Sequence, residues 1–562
     1  MLWRTIHTLG RPIGWGLIFL WVSNTFITAQ TTEDILGLIQ QDEDDAIHED
    51  EIILLDDILL RSSGLSLNIL LEIRSLSFLA DEDYILIQTA LDQNDMKSLT
   101  KSNKISPILK TIIEVVQNNK SSLQKVFIQQ HTSITGGNRY RWRGKINTPI
   151  QEISAISVRN RGVVDILGQN SIYIVHHSKK GRWIAGDHQM AFGFGLVSGK
   201  PFPSRKGWNT VNTGTSIYTG LGGYKSSTGI KRIRGIAIEQ NTALGTISLS
   251  YGQTNLDVAQ NKGTTKGAWQ YGNKLMSVGT VLTSDIQSVF ASYNREQIRT
   301  GGEISFGTGS PSLIVGFHYG IPAFKYLVQY RDIYPNSLAK MGNPMVEWKG
   351  SEISERGLFQ GAFIRLENIR LMIYADVFHH HIRRVNGYEF GIRSETKLNR
   401  HRVVFQIKTE KKDKFKDVIY PPLIFPSVMQ KDGVKLEYRY GADRWRTDVK
   451  YQFIRAGDLV TNDSHGLDLR FHFLRNNYRI ELDWMAAQVG SFDSRIYFWD
   501  VNLPGEMMTR MIFKSSHSQG IKVLFNLKNR SRLGVKLRLN HTALSFRTDF
   551  EISGGIFIQT AL

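Results

Sequence analysis

Cysteine is absent from the 562 residues. That excludes disulfide frameworks, thiolate metal sites, cysteine nucleophiles and a lipid-anchored N-terminal cysteine. Long apolar runs are missing as well. Outside the N-terminus none reaches the roughly 18 residues that a membrane-spanning helix needs. The mean hydropathy of −0.23 agrees, and a bundle of apolar helices is excluded. Disorder is excluded by 41% hydrophobic against 21% charged residues. A single compact core usually stops growing near about 250–300 residues, so several domains or one large closed architecture is expected.

Charge is unevenly spread. The first thirty residues carry only Arg4 and Arg11. Residues 31–125 carry 18 acidic and 8 basic side chains, a balance of −10. Residues 126–562 carry 59 basic and 33 acidic ones, a balance of +26. An acidic N-terminal unit is thus joined to a basic bulk, and the two are expected to meet different surroundings.

Arg4 and Arg11 precede the apolar stretch Ile13–Val22, and small Ala29 follows. This is the pattern of a secretory signal peptide over residues 1–29, cleaved before Gln30. After it, residues 30–125 have helical spacing. Leu54, Leu55, Ile58 and Leu59 recur on one face, and Leu70, Leu71, Ile73, Leu76 and Leu79 do the same. Four or five short helices are expected, then a linker over residues 126–135.

The segments Ser66–Leu71, Leu76–Glu82 and Tyr84–Ile87 resemble a degenerate helix-hairpin-helix unit. Met96–Leu99 followed by Ile105, Ile108 and Ile112 resembles a weaker second copy. The resemblance implies an all-α fold. In that family a glycine-rich hairpin offers backbone N–H groups to a nucleic-acid phosphate. Here no glycine lies between Gly64 and Gly136, and carboxylates stand where a phosphate would sit. A protein-docking or structural domain is expected instead, with DNA as a disfavoured partner.

From Gly136 onward the period changes to two. Leu467, Leu469, Phe471 and Phe473 alternate with Asp468, Arg470 and His472. Ile480, Leu482 and Trp484 alternate with Glu481 and Asp483, and Val523 and Phe525 with Lys522 and Asn526. Val535 and Leu537 flank Lys536, and Trp445, Thr447 and Val449 flank Arg446 and Asp448. One face meets an apolar medium and the other a polar one. Ser464–Arg475 and Asn477–Val489 are longer than soluble strands of five or six residues and suit membrane strands of about 9–11. Short turns at Asn476 and Glu367-Asn368 alternate with long polar loops over Tyr334–Glu355, Glu410–Asp432 and Leu503–Ser518. Trp142, Trp183, Tyr330, Trp348 and Trp499 lie near strand ends, as interfacial girdles would require.

Residues 136–562 are therefore expected to form one large antiparallel membrane β-barrel of about 14–22 strands. Leu469, Phe471, Ile480, Leu482, Val523, Phe525, Val535 and Leu537 are expected to face lipid. Arg446, Asp448, Arg470, Glu481, Asp483, Lys522 and Lys536 are expected to face the lumen. Export, a helix-hairpin-helix-like segment and a long strand domain together resemble a group of bacterial outer-membrane barrel proteins carrying such an N-terminal domain. Trp183–Leu196 and Lys231–Ile238 are similar to that group's glycine-rich segments. The resemblance implies the bacterial outer membrane, with the helical domain in the periplasm and no activity to assign to single residues.

Three constellations suggest chemistry and do not hold. Gly193, Gly195 and Gly199-Lys200 fail the phosphate-loop spacing, and Pro201 stands where Ser or Thr must bind magnesium; a strand bend where backbones approach closely is expected. His379, His380 and His381 cannot converge on a metal from one strand, and a solvated loop is expected. Asp463-Ser464-His465 lacks a nucleophile elbow, and Asn462-Asp463-Ser464 is read as a turn. The expectation is a non-enzymatic barrel without cofactor or metal, acting in transport or envelope assembly. Its partners would be outer-membrane lipid, lipopolysaccharide and a periplasmic protein at residues 30–125. The alternatives are a DNA-uptake or nucleic-acid-handling barrel and a secreted soluble β protein.

Overall fold

The structure is a computed structural model that describes most of residues 125–561, apart from parts of several connections, and a few positions between 73 and 113. The expected signal peptide and most of the hairpin motifs of the helical unit lie outside the described residues. Of the described positions there, Ile73, Asp83, Ile87, Ala90, Leu109, Ile112 and Ile113 are helical and buried, Leu86 and Lys110 are helical but not buried, and Ile105 is neither helical nor buried.

Among the described residues there are 27 strands. The first group is β1 (Lys125–Ser133), β2 (Arg139–Asn147), β3 (Gln151–Arg159), β4 (Gln169–Ser178), β5 (Gly181–Gly193), β6 (Tyr218–Gly223), β7 (Ile233–Thr242), β8 (Gly245–Thr254) and β9 (Thr264–Gly272). Next come β10 (Met276–Thr283), β11 (Gln287–Arg295), β12 (Ile298–Phe306), β13 (Ser312–Ile321), β14 (Phe324–Ile333), β15 (Glu355–Leu366), β16 (Ile369–His380), β17 (Val385–Leu398) and β18 (His401–Lys414). The last are β19 (Ser427–Ala442), β20 (Trp445–Gly457), β21 (Thr461–Arg475), β22 (Tyr478–Val489), β23 (Ile496–Trp499), β24 (Thr509–Ile512), β25 (Ser516–Asn526), β26 (Arg532–Ala543) and β27 (Thr548–Ala561).

Twenty-five of these strands form one sheet, and β23 and β24 form a separate hairpin. Every pairing is antiparallel, and β22 pairs directly with β25. The last strand returns to the first, with Phe127 opposite Ala561 and Ser133 opposite Gly555. The sheet is therefore closed. Because β6 registers with β5 only, 24 strands make the ring. This exceeds the 14–22 expected. The reason is economy in the connections, since eight turns use only two residues, as between β13 and β14 or β17 and β18. Glu367 and Asn399, each the first residue of such a turn, take φ of 39° and 56°, which suits the twist of adjoining strands.

All these short turns fall at one end of the ring, and the chain enters at Lys125 and leaves at Ala561 at that same end. The long connections lie at the other end. Three expected boundaries are corrected here. Residues 126–133, read as linker, are strand β1. Glu410–Lys414 and Ser427–Asp432, read as loop, extend β18 and β19 because they pair with each other. Leu503–Ser518, read as loop, contains β24 and the start of β25.

Two segments leave the wall. Gly181–His188 of β5 pairs with β7, whereas His188–Gly193 pairs with β6. Past Gly186, where φ is +100°, β5 therefore departs from its neighbour β4. Met190, Ala191, Phe192 and Gly193 are buried on both faces of the strand. Met190, Phe192, Val197 and Leu221 pack on Val175, Ala237, Ala268, Val281 and Phe290, which belong to the inward faces of β4, β7, β9, β10 and β11. The β5–β6 hairpin thus lies inside the ring. From the same end, Ile496, Phe498 and Ile512 of the β23–β24 hairpin pack on Ile454, Ala456, Met485 and Ala487. Gly466 admits this approach, because a Cβ there would lie 2.6 Å from the Phe498 ring.

Deleting Ile556–Leu562 removes the partners of Phe127–Thr132 and leaves two open edges. The expected outcome is loss of the compact, protease-resistant form, read by limited proteolysis of the refolded chain.

Candidate functional site

Closure gives each strand an inner and an outer face. On the outer face, Phe471, Leu482, Ile521 and Leu537 stand opposite one another across β21, β22, β25 and β26. They are 39%, 43%, 39% and 46% exposed. The other side of the ring repeats this pattern at Ile172, Ile236, Leu249, Val289 and Val377, all exposed. Soluble monomers rarely carry contiguous apolar patches beyond a few hundred Å², and this band runs around the ring.

The band has polar boundaries. Toward the long loops, outward ion pairs join directly opposed residues: Arg234 to Asp187 at 2.7 Å, Arg356 to Asp332 at 2.9 Å, and Arg455 to Asp463 at 2.9 Å. Toward the short turns, rings gather, with Trp183 on His176 at 5.5 Å, Trp269 on Tyr271 at 6.4 Å, and Trp445 between Tyr440 and Phe471 at 5.1 and 6.3 Å. Ten residues separate Arg356 from Leu366 at the turn. At a strand tilt near 40° that is about 25 Å, the height of an outer-membrane apolar band.

The inner face is charged and paired. Arg402, Arg439, Asp448, Arg470, Asp483, Gly520 and Arg538 stand in register across seven strands. Arg446, His472, Glu481, Lys522 and Lys536 form the next row toward the short turns. Asp448 accepts from Arg439 at 2.6 Å and from Arg446 at 3.0 Å, and lies 3.0 Å from His472 Nε2. Lys522 reaches Glu481 at 2.8 Å. Gly520 leaves the gap through which Arg538 reaches Asp483 at 2.9 Å; a Cβ at Gly520 would lie 2.0 Å from the carboxylate.

All the lumen candidates read from the sequence, Arg446, Asp448, Arg470, Glu481, Asp483, Lys522 and Lys536, therefore fall in these two rows. Of the lipid candidates, Leu469, Phe471, Leu482, Phe525, Val535 and Leu537 are exposed on the outer face. Ile480 and Val523 oppose each other there and are half-buried.

The sequence did not single out four buried acids. Glu303 on β12, 1% exposed, accepts from the backbone N–H of Phe194 at 2.7 Å and of Leu196 at 3.1 Å, and from Ser288 Oγ at 2.7 Å. Gly193 and Gly195, at φ of +66° and +88°, turn these N–H groups to one side and make an anion-binding nest. Glu303 is the anion in that nest, and it fastens the inward segment to β12. Asp187 is fully buried where β5 leaves the wall; it accepts from Arg234 at 2.7 and 2.9 Å and from the Ile172 N–H at 3.0 Å. Arg331 holds Asp376 with two bonds of 2.8 and 3.0 Å and Glu355 with one of 2.6 Å, all three residues being fully buried. Gly357 makes room, since a Cβ there would lie 2.5 Å from the guanidinium.

The rejected constellations also have places. The Gly193–Gly199 bend carries no phosphate loop; its N–H groups face Glu303. Asn462-Asp463-Ser464 is not a turn but part of β21, where Asp463 pairs outward with Arg455. Ser464 turns inward to Ser494 at 2.7 Å, while His465 faces Tyr451 at 2.9 Å on the outer side. Alternation keeps the three apart. His379 and His380 end β16 rather than forming a solvated loop, and His381 bonds Asp332 at 2.7 Å. Among the described residues, no group of three or more His, Asp or Glu is placed to hold a metal ion.

No protein-family model matches the chain, and no curated protein does. Among solved structures, the P pilus usher (PapC) translocation pore is similar over 78% of this chain and 99% of its own, at 10% identity and a TM-score of 0.37. OccK3 (OpdO) of Pseudomonas aeruginosa covers 78% of this chain and 95% of its own, at 10% identity and 0.30. OmpT of Vibrio cholerae covers 58% of this chain and all of its own, at 9% identity and 0.27. At TM-scores below 0.5, none of these likenesses bears on function.

Replacing Arg331 with Met leaves Glu355 and Asp376 buried without their cation. The expected loss is about 3–5 kcal/mol in stability toward denaturant, and replacing all three by apolar residues of similar volume restores most of it. Glu303→Ala strips the acceptor from the N–H groups at 194 and 196. The expected result is proteolytic cleavage within residues 187–224 while the rest of the ring stays resistant.

Proposed function

We propose that the chain is an outer-membrane β-barrel acting in transport across, or assembly of, the bacterial envelope, without enzymatic activity. One observation carries this reading: the sheet closes on itself with an exposed apolar band outside and charged rows inside. In hydrocarbon every backbone polar group must find a partner within the protein, and a closed barrel achieves this with strands. Short turns at one end and long loops at the other set the direction, so the short turns, Lys125 and the preceding residues belong to the periplasmic side. A soluble β protein has no use for such a band.

The interior favours anionic solutes. Toward the short turns, Arg402, Arg439, Arg446, Arg470, Lys522, Lys536 and Arg538 outnumber Asp448, Glu481 and Asp483 among the residues of the two rows. Passage is narrowed by the β5–β6 and β23–β24 hairpins, so the conducting path is smaller than 24 strands alone would allow. A nucleic-acid backbone would also find cations in this lumen. The segment at its periplasmic side, however, carries −10 and repels a polyanion within a Debye length of about 8 Å.

Reconstitution tests the reading. The purified chain should require detergent, insert into planar bilayers and give stepwise conductance with anions preferred over cations. A monomer that stays soluble without detergent and leaves bilayers silent would overturn it. Leu482→Arg at the middle of the band should lower folding stability in vesicles by about 2–4 kcal/mol.

A further inference from the structure

The aromatic boundary at the short-turn end is continuous across β18–β22. On the outer face His401 lies 4.8 Å from Tyr440, Tyr440 5.1 Å from Trp445, and Trp445 6.3 Å from Phe471, between ring centroids. Phe473 stands opposite Trp445 in the ladder and 6.2 Å from Tyr478. Trp445 and Phe471 are exposed, and Tyr440, Phe473 and Tyr478 are half-buried. Alternation builds this platform, because all of these are outward positions on neighbouring strands.

Just beyond the rings, three consecutive hairpins each bring an arginine to the rim. They are Arg400 in the β17–β18 turn, Arg444 in the β19–β20 turn and Arg475 at the end of β21, and all three are exposed. Backbone bonds seat the turns side by side. The Gly441 N–H donates to the Arg400 carbonyl at 3.1 Å, and the Leu474 N–H to the Arg444 carbonyl at 2.8 Å. Neighbouring turns are two strands apart, about 10 Å. The Arg444 and Arg475 side chains have no carboxylate partner among the described residues; Arg475 lies 5.7 Å over the Phe473 ring instead. With Asp443 counted, the three turns carry +2. The adjoining hairpins β13–β14 and β15–β16 turn on Pro322-Ala323 and Glu367-Asn368 and bring no cation to their turns.

A bilayer lipid presents two matching layers, a phosphate and, beneath it, glycerol and acyl carbons. Aromatic rings settle at that interfacial level, and guanidinium groups bind phosphate in bidentate fashion. A zwitterionic lipid carries its own ammonium beside the phosphate, whereas an anionic one does not, so arginines without carboxylate partners select the anionic lipid. We propose that the periplasmic rim of β17–β22 is a binding site for an anionic glycerophospholipid. Its phosphate is held at Arg444 between Arg400 and Arg475, and its chains lie on Tyr440, Trp445 and Phe473. The lipid around the ring is then not uniform, since one arc fixes a headgroup of chosen charge.

This inference rests on the outer-membrane reading, and the two fail separately. The full chain in detergent is given phosphatidylglycerol and phosphatidylethanolamine in equal amounts, and native mass spectrometry counts the lipid retained. The unmodified chain should hold phosphatidylglycerol in about tenfold excess or more, as two arginines at a lipid surface allow. R444Q/R475Q should lose most of that excess. R295Q removes an exposed arginine from the same rim at the end of β11, beside Glu296, and should keep it. Glycerol 3-phosphate, a headgroup without chains, should not displace the bound lipid. All three proteins should insert alike into vesicles of zwitterionic lipid. Equal retention of the two lipids by the unmodified chain, an excess that survives R444Q/R475Q, an equal loss in R295Q, or displacement by glycerol 3-phosphate would overturn the lipid site and leave the barrel standing. A chain that stays soluble and enters no vesicle would strike the barrel reading itself.

Discussion

Everything in this molecule depends on the pairing of β27 with β1. A sheet of this size in an apolar medium cannot end, because a row of unpaired N–H and C=O groups on an edge strand costs several kcal/mol per group in hydrocarbon. Closure converts that liability into a continuous belt of backbone bonds, and it also divides every strand into a lipid-side and a lumen-side face. With register fixed by closure, a slip of one residue would put Glu481 outside and Leu482 inside on β22. The strict alternation on β20–β26 is the sequence's record of that constraint.

The interior then has to be filled without apolar bulk. A ring of 24 strands encloses more space than wall side chains alone can pack. Two solutions operate side by side. On one side the β5–β6 hairpin folds in and supplies an apolar core with Phe192, Val197 and Leu221 against Phe290 and Val281. On the other, long cationic side chains cross-link along the wall through Asp448, Glu481 and Asp483. The first gives rigidity through packing; the second leaves a polar surface that water, ions and acidic groups can meet. Glycine at 357, 466 and 520 is needed because in each case a neighbouring strand's side chain or an inserted hairpin occupies the place of a Cβ.

The outer-face and inner-face sets on β21, β22, β25 and β26 were legible because period two survives wherever one face meets lipid. Elsewhere the signal failed for identifiable reasons. Residues 126–133 run Val-Phe-Ile and then five polar residues with no alternation, yet β1 is required to close the ring. Met190–Gly193 is buried on both faces, so no alternation marks it, and only its glycines hint at a bend. Glu303 looks like any lumenal acid in sequence; its role comes from Gly193 and Gly195, a hundred residues away, which only the fold brings to it. Asn462-Asp463-Ser464 has turn chemistry but serves as strand, because Asp463 finds Arg455 directly across the ladder.

The central claim is that alternate residues of one strand meet two different media. Single cysteines placed in turn at residues 479–485 of β22, in a chain that has no others, would report this after labelling with an environment-sensitive fluorophore in vesicles. The account predicts that labels at 480, 482 and 484 are quenched by lipid-borne nitroxides, and that those at 481, 483 and 485 are not. Uniform quenching, no quenching, or the opposite alternation would contradict it.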